Sequence, residues 1–187
     1  MSVANRIDEQ AYLELAAREQ SRFLELWDGE PKAKPSMSYE HNHDMSELGF
    51  ALRQQIDPSL YEIRVNSGRL RHTAGNVFIP DVMVVPTNLA QTQRGQPGRL
   101  ETYDAPMPLV VEVWSRSTGD YDLSVKLAAY QARGDAEIWR LHPYERTLTC
   151  WVRQADGTYA EEAFAGGLVA LAALPGVAVD LDALFTR

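Results

Sequence analysis

The chain has 187 residues, 45% of them hydrophobic, which is enough for one domain with a substantial core. Its formal charge of −8 argues against a general nucleic-acid clamp working through bulk positive charge. It does not exclude a nuclease, whose metal-binding carboxylates push the count negative. The single cysteine, Cys150, excludes an internal disulfide and fits a reducing compartment; within TLTCWV it reads as a packed strand thiol rather than a nucleophile.

MSVANRIDEQ has no apolar stretch of the signal-peptide kind, and no run is long enough to span a bilayer, so a cytoplasmic protein with no membrane partner is expected. Apolar positions over 8–27 suit an amphipathic helix or a helix pair, with residues 1–22 as a helical extension of a single domain over 1–187. Asp28-Gly29 marks a turn, and Pro31 and Pro35 disfavour helix up to Met37. Ser38 caps a helix over about 39–55 that ends before Asp57-Pro58. Tyr61 to Val65 alternates as a strand, and Asn66-Ser67-Gly68 turns the chain. A longer strand is expected over about 77–85, then an irregular loop over 87–106.

Leu109 to Trp114 is a strand, apolar except for Glu112. Ser117 or Thr118 is expected to cap a helix over about 120–133, with Asp120 and Asp122 in its first turn and Gly134 beyond its end. Strands at about 136–141, 147–153 and 158–164 follow, the last two joined by an Asp156-Gly157 turn of type I′. LPGVAVDLDALF closes the chain as a short strand and a helical turn. The strand–helix–strand unit over 109–141 requires a crossover, so the fold class is α/β: a mixed sheet flanked by helices, with additional C-terminal hairpins.

Three residues sit where local patterning makes them costly. Glu112 interrupts an apolar strand, on the face shared by Val110 and Trp114; a buried carboxylate needs a partner or a metal. Asp81 follows Pro80 within an apolar stretch, where the ordinary alternative is an exposed edge carboxylate. Lys126 shares a helical stripe with Leu123, Leu127 and Tyr130, where lysine ordinarily snorkels to water. One shared site explains all three: two acids holding Mg²⁺ or Mn²⁺ and a lysine near the phosphate suit phosphodiester hydrolysis.

IPDVMVVP at 79–86, LVVEVWSRST at 109–118, YDLSVKLAAYQARGDAEIWRLHP at 121–143 and FLELWDGEPKAKPSMSYEH at 23–41 together resemble the Uma2 family, also catalogued as DUF820. LPGVAVDLDALF resembles the family's C-terminal ending. That family in turn resembles the PD-(D/E)XK restriction-endonuclease-like superfamily. The resemblance implies that Asp81 and Glu112 are metal ligands and that the nucleic acid, DNA above RNA, is the partner. The superfamily lysine stands two residues after the glutamate; here that position is Trp114, and Lys126 on the next helix is the substitute. Glu25, His41, Ser115 and Tyr130 match lesser family positions and are expected to line the pocket.

Arg94 and Arg99 in the 87–106 loop are candidates for phosphate contact beside the site. His41-Asn42-His43 is a false match to HNH nucleases, and a metal site of His41, His43 and Asp44 is disfavoured against helix capping or solvent exposure. The competing function is an inactive nuclease-fold module that binds nucleic acid or a protein, and a homodimer is left open.

Overall fold

The computed structural model describes residues 6–18, 23–116 and 119–186, with the backbone alone for 119–123. Asp8 begins the first helix, α1 (Glu9–Ala16), by accepting a hydrogen bond from the Ala11 amide at 2.8 Å. Tyr12 and Ala16, one turn apart, are buried against Leu26 and Val77. The helical pattern expected over 8–27 does not continue to its end, because Leu24–Trp27 is a strand, β1. Alternation there sends Leu26 to the α1 cluster and Trp27 to a different one, a split that only period-two geometry produces. Asp28 and Gly29, at φ 47° and 79°, turn β1 directly into β2 (Glu30–Ala33), with Trp27 opposite Glu30.

Ser38 caps α2 (Tyr39–Gln55), its hydroxyl accepting from the His41 amide at 3.2 Å. Then come β3 (Tyr61–Val65) and β4 (Arg69–Thr73), joined through Asn66 and Gly68 at positive φ. The single strand expected over 77–85 is two, β5 (Asn76–Phe78) and β6 (Val82–Pro86). Pro80 has no amide hydrogen to give a ladder, and at residues 79–81 the chain leaves one sheet for another. The segment expected to be irregular over 87–106 holds a short helix, α3 (Thr87–Gln91), and a short strand, β7 (Thr102–Tyr103).

β8 (Leu109–Val113), α4 (Gly119–Arg133) and β9 (Glu137–His142) form the expected crossover, with β8 and β9 parallel. The cap expected from Ser117 or Thr118 and the side chains of Asp120 and Asp122 lie outside the described residues. Gly134, at φ 81°, ends α4 as expected. β10 (Thr147–Arg153) and β11 (Tyr159–Phe164) extend the sheet as a hairpin. Their turn is not type I′: only Gly157 has positive φ, and the Gly157 amide donates to the Gln154 carbonyl at 3.0 Å. A pair between Gln154 and Thr158 leaves three residues in the loop, which places the glycine in the left-handed position. β12 (Leu168–Ala170) and β13 (Ala178–Asp180) pair with each other, and α5 (Leu181–Leu184) follows.

The strands form a five-stranded sheet of order β2-β1-β5-β4-β7 and a six-stranded sheet of order β11-β10-β9-β8-β6-β3. On one face of the larger sheet α2 and the C-terminal elements bury Leu109, Val111 and Val113; on the other, α4 covers Val110 and Ile138. The face assignment from alternation in β8 therefore holds. Among the described residues no helix is long and apolar enough to cross a membrane.

Candidate active site

Residues 79–81, where the chain crosses between sheets, are fixed from both sides. Glu25 on β1 accepts from the Ile79 amide at 2.7 Å, and the Asp81 amide donates to the Val111 carbonyl on β8 at 3.1 Å. Asp81 in turn accepts from the Val113 amide at 2.8 Å. These bonds hold Asp81 beside the end of β8, at the two residues that flank Glu112. Asp81 is 1% exposed, so the edge-carboxylate alternative is excluded.

The cavity here is lined by Glu25, Trp27, Lys34, His41, Asp81, Glu112, Ser115 and Lys126, among others. Lys34 Nζ lies 2.7 Å from Asp81 Oδ1 and also donates to Asn66 at 2.8 Å. His41 Nε2 lies 3.1 Å from Asp81 Oδ2. Lys126 reaches Glu25 Oε1 at 2.9 Å and Glu112 Oε1 at 3.2 Å, and the Tyr130 hydroxyl donates to Glu112 Oε1 at 2.6 Å. The Trp27 indole donates to the other oxygen of Glu25 at 3.0 Å. Lys126 does not snorkel: it is buried, because two carboxylates meet it at the sheet.

Burial opposes the charge on Asp81, but the Lys34 ammonium and His41 overcome it and hold the carboxyl well below its usual range. Glu112 goes the other way. Burial, with the Asp81 charge adding to it, raises its pKa against the pull of Lys126. Lys126 would lose its proton more easily through burial, yet Glu112, Glu25 and Asp81 more than restore it, and the ammonium is held firmly. Burial and the Glu112 charge push the Tyr130 phenol well above its usual value, so it acts as a donor. Three carboxylates thus face two ammonium groups in one enclosed space.

All seven core and pocket residues singled out from the sequence therefore fall together: Asp81, Glu112 and Lys126, with Glu25, His41, Ser115 and Tyr130 around them. The expectation that His41 would cap or face solvent does not hold, since helix α2 turns its ring inward onto Asp81; its backbone, not its ring, serves the cap. His43 and Asp44 do not line this cavity, and Arg94 and Arg99 do not either. Arg94 is exposed with Nη2 3.9 Å from Glu62, and Arg99 donates to Gln96 at 2.7 Å.

Lys34 was missed, because a lysine between prolines gives no periodic signal. The β1–β2 hairpin was the available clue: it sets Lys32 opposite Glu25, and strand alternation then carries Lys34 to the same side.

Carboxylate oxygens are the ligands that Mg²⁺ and Mn²⁺ prefer, so the donor set fits such a cation in kind. Among the described residues no group of three or more His, Cys, Asp or Glu is spaced to hold a metal together. The carboxylates could thus supply one or two oxygen ligands to such a cation rather than a complete cage.

A family model described as Uma2, "Putative restriction endonuclease", matches residues 9–182. A crystal structure described as a putative nuclease belonging to DUF820, from Anabaena variabilis, superposes with a TM-score of 0.76 at 17% identity. The match covers 96% of this chain and 98% of that one, and it shows a shared fold. Among curated proteins, none matches. With the family model spanning nearly all of the chain, this protein belongs to the Uma2 family.

Proposed function

We propose that the protein is a metal-dependent endonuclease that hydrolyses phosphodiester bonds of nucleic acid. The observation that carries this reading is the convergence of Asp81, Glu112 and Lys126, from a sheet crossing, a central strand and the facing helix, in one buried cavity. Asp81 and Glu112 would hold Mg²⁺ or Mn²⁺. When bound, such an ion supplies the acidity that makes water a nucleophile at neutral pH and positive charge for the phosphate. The Val113 amide fixes the Asp81 carboxylate, and the Tyr130 hydroxyl fixes that of Glu112. Lys126 keeps its proton and presents positive charge where the phosphate gains negative charge. Lys34 plays the same part on the Asp81 side, and must move aside or share Asp81 when the cation binds.

A second reading, an inactive nuclease-fold module that binds nucleic acid or a protein, draws support from one feature. Nitrogen donors already engage both oxygens of Asp81, and Lys126 and Tyr130 engage Glu112. The discriminating experiment is a Mn²⁺-dependent cleavage assay on single-stranded DNA, duplex DNA and RNA, with Glu112→Gln alongside. Cleavage by the parent and none by the variant supports the enzyme. No cleavage of any substrate, with Mn²⁺ failing to bind by calorimetry, sinks it.

A further inference from the structure

Trp114 stands between two residues that line the cavity, Val113 and Ser115, at the end of β8. It stacks on His142, with ring centroids 4.4 Å apart and planes 27° from parallel, and takes Tyr144 edge-on at 5.8 Å. The Tyr144 hydroxyl lies 3.0 Å from Glu40 Oε2 and 3.1 Å from Ser38 Oγ. Ser38 caps the helix whose first turn carries His41 into the cavity. The three rings thus bridge two elements of the site. Tyr144 is 54% exposed yet pinned at its hydroxyl and against Trp114, and a groove beside it is lined by Trp114, Arg140, His142, Glu145, Thr147 and Thr149.

We infer that the exposed ring of Tyr144, braced edge-on by the Trp114–His142 stack, is a stacking shelf for an unpaired base of the substrate, so that the substrate is single-stranded or locally unpaired nucleic acid. This rests on the nuclease reading above and narrows its substrate class. A large aromatic ring left exposed and held in place is suited to a flat partner, because little freedom is lost when the partner docks. The carboxylates of Glu40 and Glu145 flank the Tyr144 ring and repel phosphate, so the shelf meets a base and leaves the backbone to Arg140 in the groove and the lysines in the cavity. Every base has a face to stack, whereas in a duplex those faces are covered. Thr147 and Thr149 in the groove offer hydroxyls to a base edge.

The test uses the full chain and fluorescent oligonucleotides, DNA and RNA, each as a single strand, a duplex and a single strand with one abasic position. Binding is read by anisotropy with Ca²⁺ and cleavage with Mn²⁺. Single strands should bind and be cleaved in preference to duplex. Tyr144→Ala should weaken single-strand binding roughly 5- to 150-fold, the usual effect of losing one base–aromatic stack. Tyr144→Phe keeps the ring and should retain binding, and melting curves confirm that both variants fold. The abasic strand should bind wild type as weakly as the intact strand binds Tyr144→Ala. Duplex cleavage that equals single-strand cleavage and is indifferent to Tyr144→Ala overturns the shelf alone. No binding or cleavage of any oligonucleotide overturns the shelf and the nuclease reading together.

Discussion

Lys34 Nζ lies 2.7 Å from Asp81 Oδ1, with both side chains almost wholly enclosed. The pair lines the same cavity as Lys126, and its electrostatics lead to the first prediction. The folded pKa of Asp81 is depressed below its ordinary 3.8, so its contribution to stability is present above about pH 4 and is lost as pH falls towards the folded value. Lys34→Met should move acid unfolding to higher pH. At neutral pH it should cost about 3 kcal/mol, since a buried carboxylate loses its cation while His41 and the Val113 amide remain. Urea unfolding of both proteins between pH 3 and 7 checks this; superimposable curves would show that the pair contributes nothing.

Lys126→Met removes an ammonium shared by Glu25 and Glu112. In the proposed enzyme, turnover should fall roughly 10²- to 10³-fold, the usual effect of removing one donor that stabilises transition-state charge. Stability should fall by about 3–5 kcal/mol, the penalty for stranding buried carboxylates, rather than the near-zero change of an exposed lysine. Mn²⁺ affinity should hold or rise, because a competing cation is gone. Single-turnover kinetics, melting and calorimetry on this variant separate the three effects, and full activity would remove Lys126 from the chemistry.

Asp44 gives a pH dependence of the opposite sign. It is 3% exposed, its Oδ2 has no hydrogen-bond partner among the described residues, and burial pushes its carboxyl up to about 6 against the pull of His43 and His41. A raised folded pKa means that the fold favours the protonated acid. That contribution is full below about pH 4 and is lost as pH rises through about 6, roughly 3 kcal/mol in all. Asp44→Asn should flatten the fall in stability between about pH 4 and 6.5, measured by denaturant unfolding. An unchanged slope would mean that Asp44 is ionised throughout this range.

Gly49 sets how closely α2 approaches β3. A Cβ at this position would stand 2.5 Å from Val65 Cγ2. Alanine is the better helix former by about 1 kcal/mol, yet overpacking at a buried contact costs more. Gly49→Ala should therefore destabilise by about 1–2 kcal/mol net, measured by thermal melting. Adding Val65→Ala should recover the loss. If Gly49→Ala raises the melting temperature by itself, the close approach is not needed.

The pattern of residues sufficed for elements whose signal is local. Ser38 before α2, Gly134 after α4 and the alternation in β8 each concern backbone groups within a few residues, and the structure follows them. The costly placement of Glu112, Asp81 and Lys126 was also legible, because a charge in an apolar pattern stands out before its partner is known. Local signals failed where two periodicities compete over a short span. Leu24, Leu26 and Trp27 satisfy a helix as readily as a strand, and only pairing with β2 and β5 settles the matter.

What surrounds the acids was decided by tertiary structure alone. Lys34 and Asp81 are 47 positions apart, and Lys126 and Glu25 are 101 apart. No spacing rule reaches across such distances; they are closed by the change of sheet at residues 79–81, which sets Asp81 beside β8, and by α4, which carries Lys126 onto the sheets. The fold also turned the His41 ring onto Asp81, where helix capping or solvent exposure was the local expectation, and left Arg94 and Arg99 away from the cavity. The sequence alone determined which residues were too costly to be incidental. The packing of two sheets against α2 and α4 decided which charges pay for one another, because a buried charge is stabilised only by partners brought within a few ångströms.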